Sequence, residues 1–129
     1  MGSVLVECDP ADTIRVRDRI ASDLLGRAVD PGSVGDVLLV VSELVSNAVL
    51  HAASRSDVDW VLHDRGAESA VVVRVGDGSD RLPVPRDVDD RDTSGRGLAI
   101  VDAIATEWGV DRTASGKAVW ARVPVSTAA

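Results

Sequence analysis

SELVSNAVLH, residues 42–51, is the stretch on which the reading of the chain turns. Leu44, Val45, Ala48 and Val49 give it the apolar content of a core helix. Glu43, Asn47 and His51 recur every fourth residue. On an α-helix such residues share a face, drifting about 40° per step, so the three form one polar ridge. Solvated ridges usually carry Lys and Glu. A carboxylate and a carboxamide instead offer hard oxygens suited to Mg²⁺, or to orienting a water or hydroxyl. From this stretch alone, a solvent-facing ridge and a chemical site stand about even.

Working outward, Val37, Val41, Leu44 and Ala48 make one apolar stripe, widened by Val40 and Leu39. The spacing predicts a mostly buried helix over 33–53. DPGS (30–33) precedes it, with Asp30 or Ser33 as the N-cap. Before that, Val16, Ile20 and Leu24 predict an amphipathic helix from Pro10 to near Gly26. SVLVECD (3–9) reads as an edge strand. On the other side, SDVDWVLHD (56–64) alternates apolar and polar residues, and ESAVVVRVGD (68–77) is a second strand, with RGAE between them as a hairpin connection. Residues 78–94 have no period and carry two prolines and five aspartates, the character of a functional lid or a disordered segment. GRGLAIVDAIATEWG (95–109) returns to helical spacing, and WGVDRT and KAVWARVPV read as a closing pair of strands. Helices and strands mix without β-α-β-α alternation. The expected class is α+β, one domain over 1–129, with helices on one face of a mainly antiparallel sheet.

Composition narrows the function. Apolar residues make up 45% of 129, enough for a core, but Phe and Tyr are absent. Val, Leu, Ile and Ala fill it, with Trp60, Trp108 and Trp120 as the large side chains. A formal net charge of -7 opposes direct nucleic-acid binding. Cys8 is the single cysteine, expected buried and inert, which fits a reducing cytoplasm. No run approaches the ~18 apolar residues of a membrane helix. The N-terminus has no basic n-region or apolar h-region, so no signal peptide and no membrane attachment are expected.

Two glycine sites complete the pattern. In VRVGDGSD (73–80) a strand ends at Asp77, followed at once by Gly78. An Asp there can accept a hydrogen bond from an exocyclic amine such as that of adenine, and Gly lets a ligand approach the backbone. In TSGRGLAIV (93–101) Ser94, Gly95 and Gly97 sit where a helix begins, and free N–H groups at such a start bind phosphate. It is neither a Walker A motif nor a Rossmann fingerprint. Singly, a turn and a capped helix explain these sites. In order with the ridge, they are the pieces of an ATP site.

With these residues in place, the sequence resembles the histidine-kinase-like (GHKL) ATPases, the family shared by histidine kinases, gyrase and MutL. It is most similar to small stand-alone members: anti-sigma factor serine/threonine kinases of bacterial stress and sporulation switches, and their actinobacterial relatives. SELVSNAVLH, VRVGDGSD, TSGRGLAIVDAIATEWGV and GKAVWARVPV carry the resemblance, which spans roughly residues 10–125. It implies a Bergerat-type α/β sandwich, with helices on one face of a mixed, mainly antiparallel sheet. It implies ATP and Mg²⁺ as cofactors, with Asn47 ligating the metal and Glu43 as general base. Asp77 would take the adenine amine and Gly78 let the base lie close. Ser94, Gly95 and Gly97, with the N–H groups around Arg96 and Leu98, would form the phosphate cradle. His51 would shape the site, and residues 79–94 would be the ATP lid. The implied partners are a small anti-anti-sigma (STAS-type) protein, a sigma factor, or both, and a homodimer is reasonable. Dimerisation and phosphotransfer helices are not seen, so a sensor histidine kinase is not expected. Ala118 stands where many members place a Thr near the adenine, and the glycine segment is shorter than in sensor kinases. Those departures motivate an alternative: a non-catalytic ATP/ADP-sensing regulatory module.

Overall fold

A computed structural model describes residues 2–7, 10–50, 55–77, 95–113 and 116–127. Strand β1 (Gly2–Glu7) is followed by helices α1 (Pro10–Gly26) and α2 (Pro31–Leu50). Strands β2 (Arg55–His63) and β3 (Ala70–Asp77) flank a short 3₁₀ turn at Gly66–Glu68. Helix α3 (Gly95–Ile104) and strands β4 (Glu107–Thr113) and β5 (Gly116–Pro124) close the order. Cys8 and the 79–94 lid lie outside the described residues, as do residues 51–53 of the helix expected over 33–53.

The five strands lie in the order β1-β2-β3-β5-β4. All four described pairings are antiparallel, so among the described residues the sheet is antiparallel rather than mixed. Strand alternation divides its two faces. Val58 and Trp60, then Val71, Val73 and Val75, then Val119, Ala121 and Val123 join one core cluster. The same cluster holds Val16, Ile20 and Leu24 of α1, Val37, Val40, Val41 and Leu44 of α2, and Val101 of α3. The helices therefore cover one face. On the open face Arg74 pairs with Trp120, and Trp120 with Gly109 of β4. A Cβ on Gly109 would stand 3.0 Å from the Trp120 indole, so only glycine lets that ring lie across the strand.

The expected stripe of α1 is fully buried at Val16, Ile20 and Leu24. Asp30 is the N-cap of α2: its Oδ2 accepts from the N–H groups of Gly32 at 3.0 Å and Ser33 at 3.2 Å. Pro31 follows at the first helical position, where a missing N–H costs nothing. Leu39 is 42% exposed, so the apolar stripe of α2 is narrower on that side than the sequence suggests. Helix α3 stops at Ile104 rather than running to Gly109. Its last turn closes through Ala105 N–H to the Val101 carbonyl, and Thr106 N–H turns to the Arg122 carbonyl of β5. Tertiary strand pairing wins over helical spacing from there.

Gly26 falls inside the last turn of α1, and the residue that ends the helix is Ala28, at φ 65°. Val29 N–H reaches the Leu24 carbonyl and Ala28 N–H the Leu25 carbonyl, a Schellman motif with Ala at its left-handed position. Leu24 and Val29 supply the apolar contact that accompanies it, both buried. A left-handed alanine costs roughly 1–2 kcal/mol. Part of that is offset because glycine loses more backbone entropy on folding. Ala28→Gly is expected to stabilise the domain by about 0.5–1 kcal/mol, read as a higher urea midpoint at unchanged m. A lower midpoint would show that this backbone strain does not limit stability.

Two tethers fix the helix layer on the sheet. Trp60, 2% exposed, donates its indole N–H to Asp23 Oδ2 at 2.8 Å, while Arg27 Nε donates to Asp23 Oδ1 at 3.0 Å. Burial raises the Asp23 pKa, but the hydrogen bonds from Trp60 and Arg27 outweigh it and hold the carboxyl below the ordinary 3.8. The second tether lies after β5. Asp30 N–H donates to the Ser126 carbonyl at 2.8 Å, Ser126 N–H to Ser33 Oγ at 2.9 Å, and Val29 bridges Thr127. This strap fastens the start of α2 to the end of β5.

Candidate nucleotide site

Strand register fixes which element ends meet. The strap joins Ser126 to Ser33, and Val125 N–H bonds the Ser69 carbonyl just before β3. The starts of α2 and β3 therefore lie together at one end of the sheet. From there β3 runs toward Asp77, and α2, packed on β3 and β5, runs toward Asn47. Fourteen residues of helix rise about 21 Å, and eight of strand about 26 Å, so both reach the opposite end. Helix α3 runs the opposite way, with its start at that end. Its end is tied to Arg122, and its ten residues span about 15 Å back toward Gly95. Four residues of β5, from Arg122 to Ala118, cover a similar ~13 Å. Ala118 pairs with Gly76, one residue before Asp77. The late turns of α2, the end of β3 and the start of α3 thus gather at one end of the sandwich, with α2 packed against α3.

The expected site residues can be placed on this frame. Glu43 is half-buried on α2, between the buried Val41 and Leu44 and the exposed Ser46. Ser42 Oγ donates to the Leu38 carbonyl one turn back and is not free for chemistry while so bonded. Asn47 continues the helix one turn beyond Glu43. Asp77 is the last residue of β3. Gly95, Arg96, Gly97 and Leu98 form the first turn of α3, where N–H groups have no intrahelical acceptor. The side chains of Asn47, Asp77, Arg96 and Leu98 lie outside what the structure describes, as do His51, Gly78 and Ser94 altogether.

Ala118 is placed by the register of β3 against β5. Val119 belongs to the core cluster under the helices, and alternation gives Ala118 the opposite face. It is 3% exposed and stands opposite Gly76, a Cβ on which would lie 3.9 Å from the Ala118 Cβ.

The arrangement is a helix with a carboxylate and a carboxamide one turn apart, a strand ending in Asp77, and a glycine-rich helix start, gathered toward one end of a helix-covered sheet. The family model of the histidine kinase-like ATPase domain matches residues 6–123. The chain belongs to that family. No curated protein matches it. As an ATPase domain of this type, it is expected to bind ATP. No helix among the described residues of this ATPase domain is long and apolar enough to cross a membrane.

The donors of the ATPase domain fit a magnesium nucleotide. Mg²⁺ keeps several waters and is usually held by one or two protein oxygens together with substrate phosphates. Asn47 supplies one hard oxygen donor on a helix packed against α3, whose start attracts anions, and that is a set of this kind.

Two pairs in the domain escape sequence reading. Trp108 Nε1 donates to Asp102 Oδ1 at 3.1 Å, across the turn from α3 to β4. Ser69 Oγ donates to Asp64 Oδ1 at 3.0 Å and accepts from Arg65 N–H at 3.0 Å, closing the β2–β3 connection. Neither shows a periodic signal. A buried polar residue beside a turn, as Ser69 is, is found only from burial.

Proposed function

We propose that this ATPase domain is a Mg·ATP-dependent serine/threonine protein kinase of the anti-sigma factor type. It acts in cytoplasmic transcription regulation. Its substrate is a seryl hydroxyl on a small anti-anti-sigma, STAS-type protein, and it sequesters a sigma factor in the complementary state. The supporting observation is the half-buried Glu43, one turn before Asn47, on a helix whose far end gathers with the end of β3 and the start of α3.

In this reading Glu43 takes the proton of the seryl hydroxyl. The seryl oxygen forms a bond to the γ-phosphorus as the bond to the β–γ bridging oxygen breaks, and ADP leaves. Magnesium bound with the nucleotide offsets phosphate charge. Asp77 accepts from the adenine amine, and the first-turn N–H groups of α3 hold phosphate oxygens.

Thermal unfolding with Mg·ATP, run on wild type and Asn47→Ala, tests the site. At 100 times its Kd the ligand adds about 2.7 kcal/mol, a rise of several degrees. Asn47→Ala is expected to lose the Mg²⁺-dependent part of that rise. No response of either protein across millimolar Mg·ATP removes the kinase reading.

A further inference from the structure

We infer that Asp102, through its hydrogen bond from Trp108, positions α3 so that its first turn meets the nucleotide phosphates. This rests on the nucleotide site proposed above and names a positioning residue for it, one that touches neither nucleotide nor metal.

Helix α3 is short, and among the described residues its anchoring side chains lie toward its C-terminal end. Val101 is fully buried in the core, and Ile104 and Ala105 pack partly against it. Those contacts hold the inner side near the C-terminus. Thr106 adds two bonds to the Arg122 carbonyl, from N–H at 2.9 Å and from Oγ1 at 3.3 Å. The outer side carries one described tie, the exposed Asp102 accepting from Trp108 Nε1 at 3.1 Å. Trp108 is half-buried and packed against the core, so its N–H is a fixed point on β4. Asp102 is the movable partner.

The charge at Asp102 runs against local helix physics. The C-terminal turn of a helix carries partial negative charge and favours Lys or Arg. Helix α3 has no basic residue in its last turn and places this carboxylate there instead. Helix stability does not account for that choice, but the acceptor supplied to Trp108 does.

Leverage makes the tie matter. Asp102 lies seven residues, about 10 Å, from Gly95. A tilt of about 10° at the anchored end moves the first turn by nearly 2 Å, out of hydrogen-bond reach of a phosphate oxygen. Adenine, held at the end of β3, does not depend on α3. Loss of the tie should therefore weaken ligands that carry phosphate and spare those that do not.

Calorimetric titration of Mg·ADP and of adenosine into four proteins tests this: wild type, Asp102→Ala, Asp102→Asn and Trp108→Phe. Asp102→Ala and Trp108→Phe are expected to weaken Mg·ADP about fivefold and leave adenosine unchanged. Asp102→Asn keeps the Oδ1 acceptor and is expected to stay within about twofold of wild type for both ligands. Equal losses for adenosine and Mg·ADP would mean general loosening and overturn the positioning role. Unchanged Mg·ADP affinity in both disrupting variants, with wild type binding both ligands, would overturn it and leave the nucleotide site standing. Wild type binding neither ligand would remove the nucleotide site and this inference with it.

Discussion

Replacing Glu43 with Ala is expected to slow phosphoryl transfer from Mg·ATP to a seryl partner by about 10²–10⁴-fold, with Mg·ATP affinity largely kept. The expectation follows from where Glu43 stands. Leu44 and Val45 beside it are buried, while Glu43 is half-exposed, which leaves its carboxylate open to solvent on a helix that is otherwise held in the core. A carboxylate there can accept a proton without being a metal ligand, a role the proposed mechanism gives to the Asn47 carboxamide. Such a loss corresponds to about 3–5 kcal/mol of transition-state stabilisation. Glu43→Gln keeps the shape and removes the base, so it should fall with Glu43→Ala rather than with wild type. Single-turnover transfer to a purified anti-anti-sigma protein, at saturating Mg·ATP, gives the rate directly. Equal rates for the three proteins would take the base role from Glu43 and leave nucleotide binding untouched.

Trp60→Ala is expected to destabilise the domain by about 3–5 kcal/mol, the usual cost of deleting a buried large aromatic. Trp60 is the largest fully buried side chain, 2% exposed, in a core without Phe or Tyr to close the gap. Its indole N–H also holds Asp23, so the same change removes a tether between β2 and α1. Trp60→Phe separates the effects. It keeps much of the ring volume, loses the donor to a carboxylate and is expected to cost about 1.5–3 kcal/mol. The Asp23 pKa is lowered on folding, so its contribution is full above the ordinary 3.8 and is lost as pH falls through the lower folded value. The stability gap between wild type and Trp60→Phe should narrow as acid protonates Asp23. Urea unfolding at pH 7 and in the acid limb measures both terms. A gap independent of pH would show that Asp23 takes no part in it.

Much of this architecture is legible because burial writes a period into the chain. Val16, Ile20 and Leu24 announce α1, the alternation through Val71, Val73 and Val75 announces β3, and Asp30 announces the start of α2. Features set by distant partners leave no such mark. Helix α3 ends at Ile104 because Thr106 finds Arg122 of β5, and the spacing through Ala105 carries no trace of that. Gly26 draws attention as a helix terminator, yet the left-handed residue is Ala28, held there by backbone bonds to Leu24 and Leu25. For the site, the ridge, the Asp-Gly step and the glycine-rich helix start are readable as motifs. That the late turns of α2, the end of β3 and the start of α3 lie at one end follows only from register, with Ser126 bonded to Ser33 and Ala118 opposite Gly76. The face occupied by Ala118 is a register fact as well.

Strand order also bears on how the chain folds. Pairs β2–β3 and β4–β5 join neighbours in sequence, and each closes through a short connection, so they need little loop-closure entropy. Pairs β1–β2 and β3–β5 bring together segments separated by whole helices, and such non-local contacts are the slow ones. Two hairpins are thus expected to form early and separately. Their docking, β3 against β5, encloses the core and brings the end of β3 to the level of the start of α3. The nucleotide site is then a late product of folding, assembled by the same step that completes the sheet.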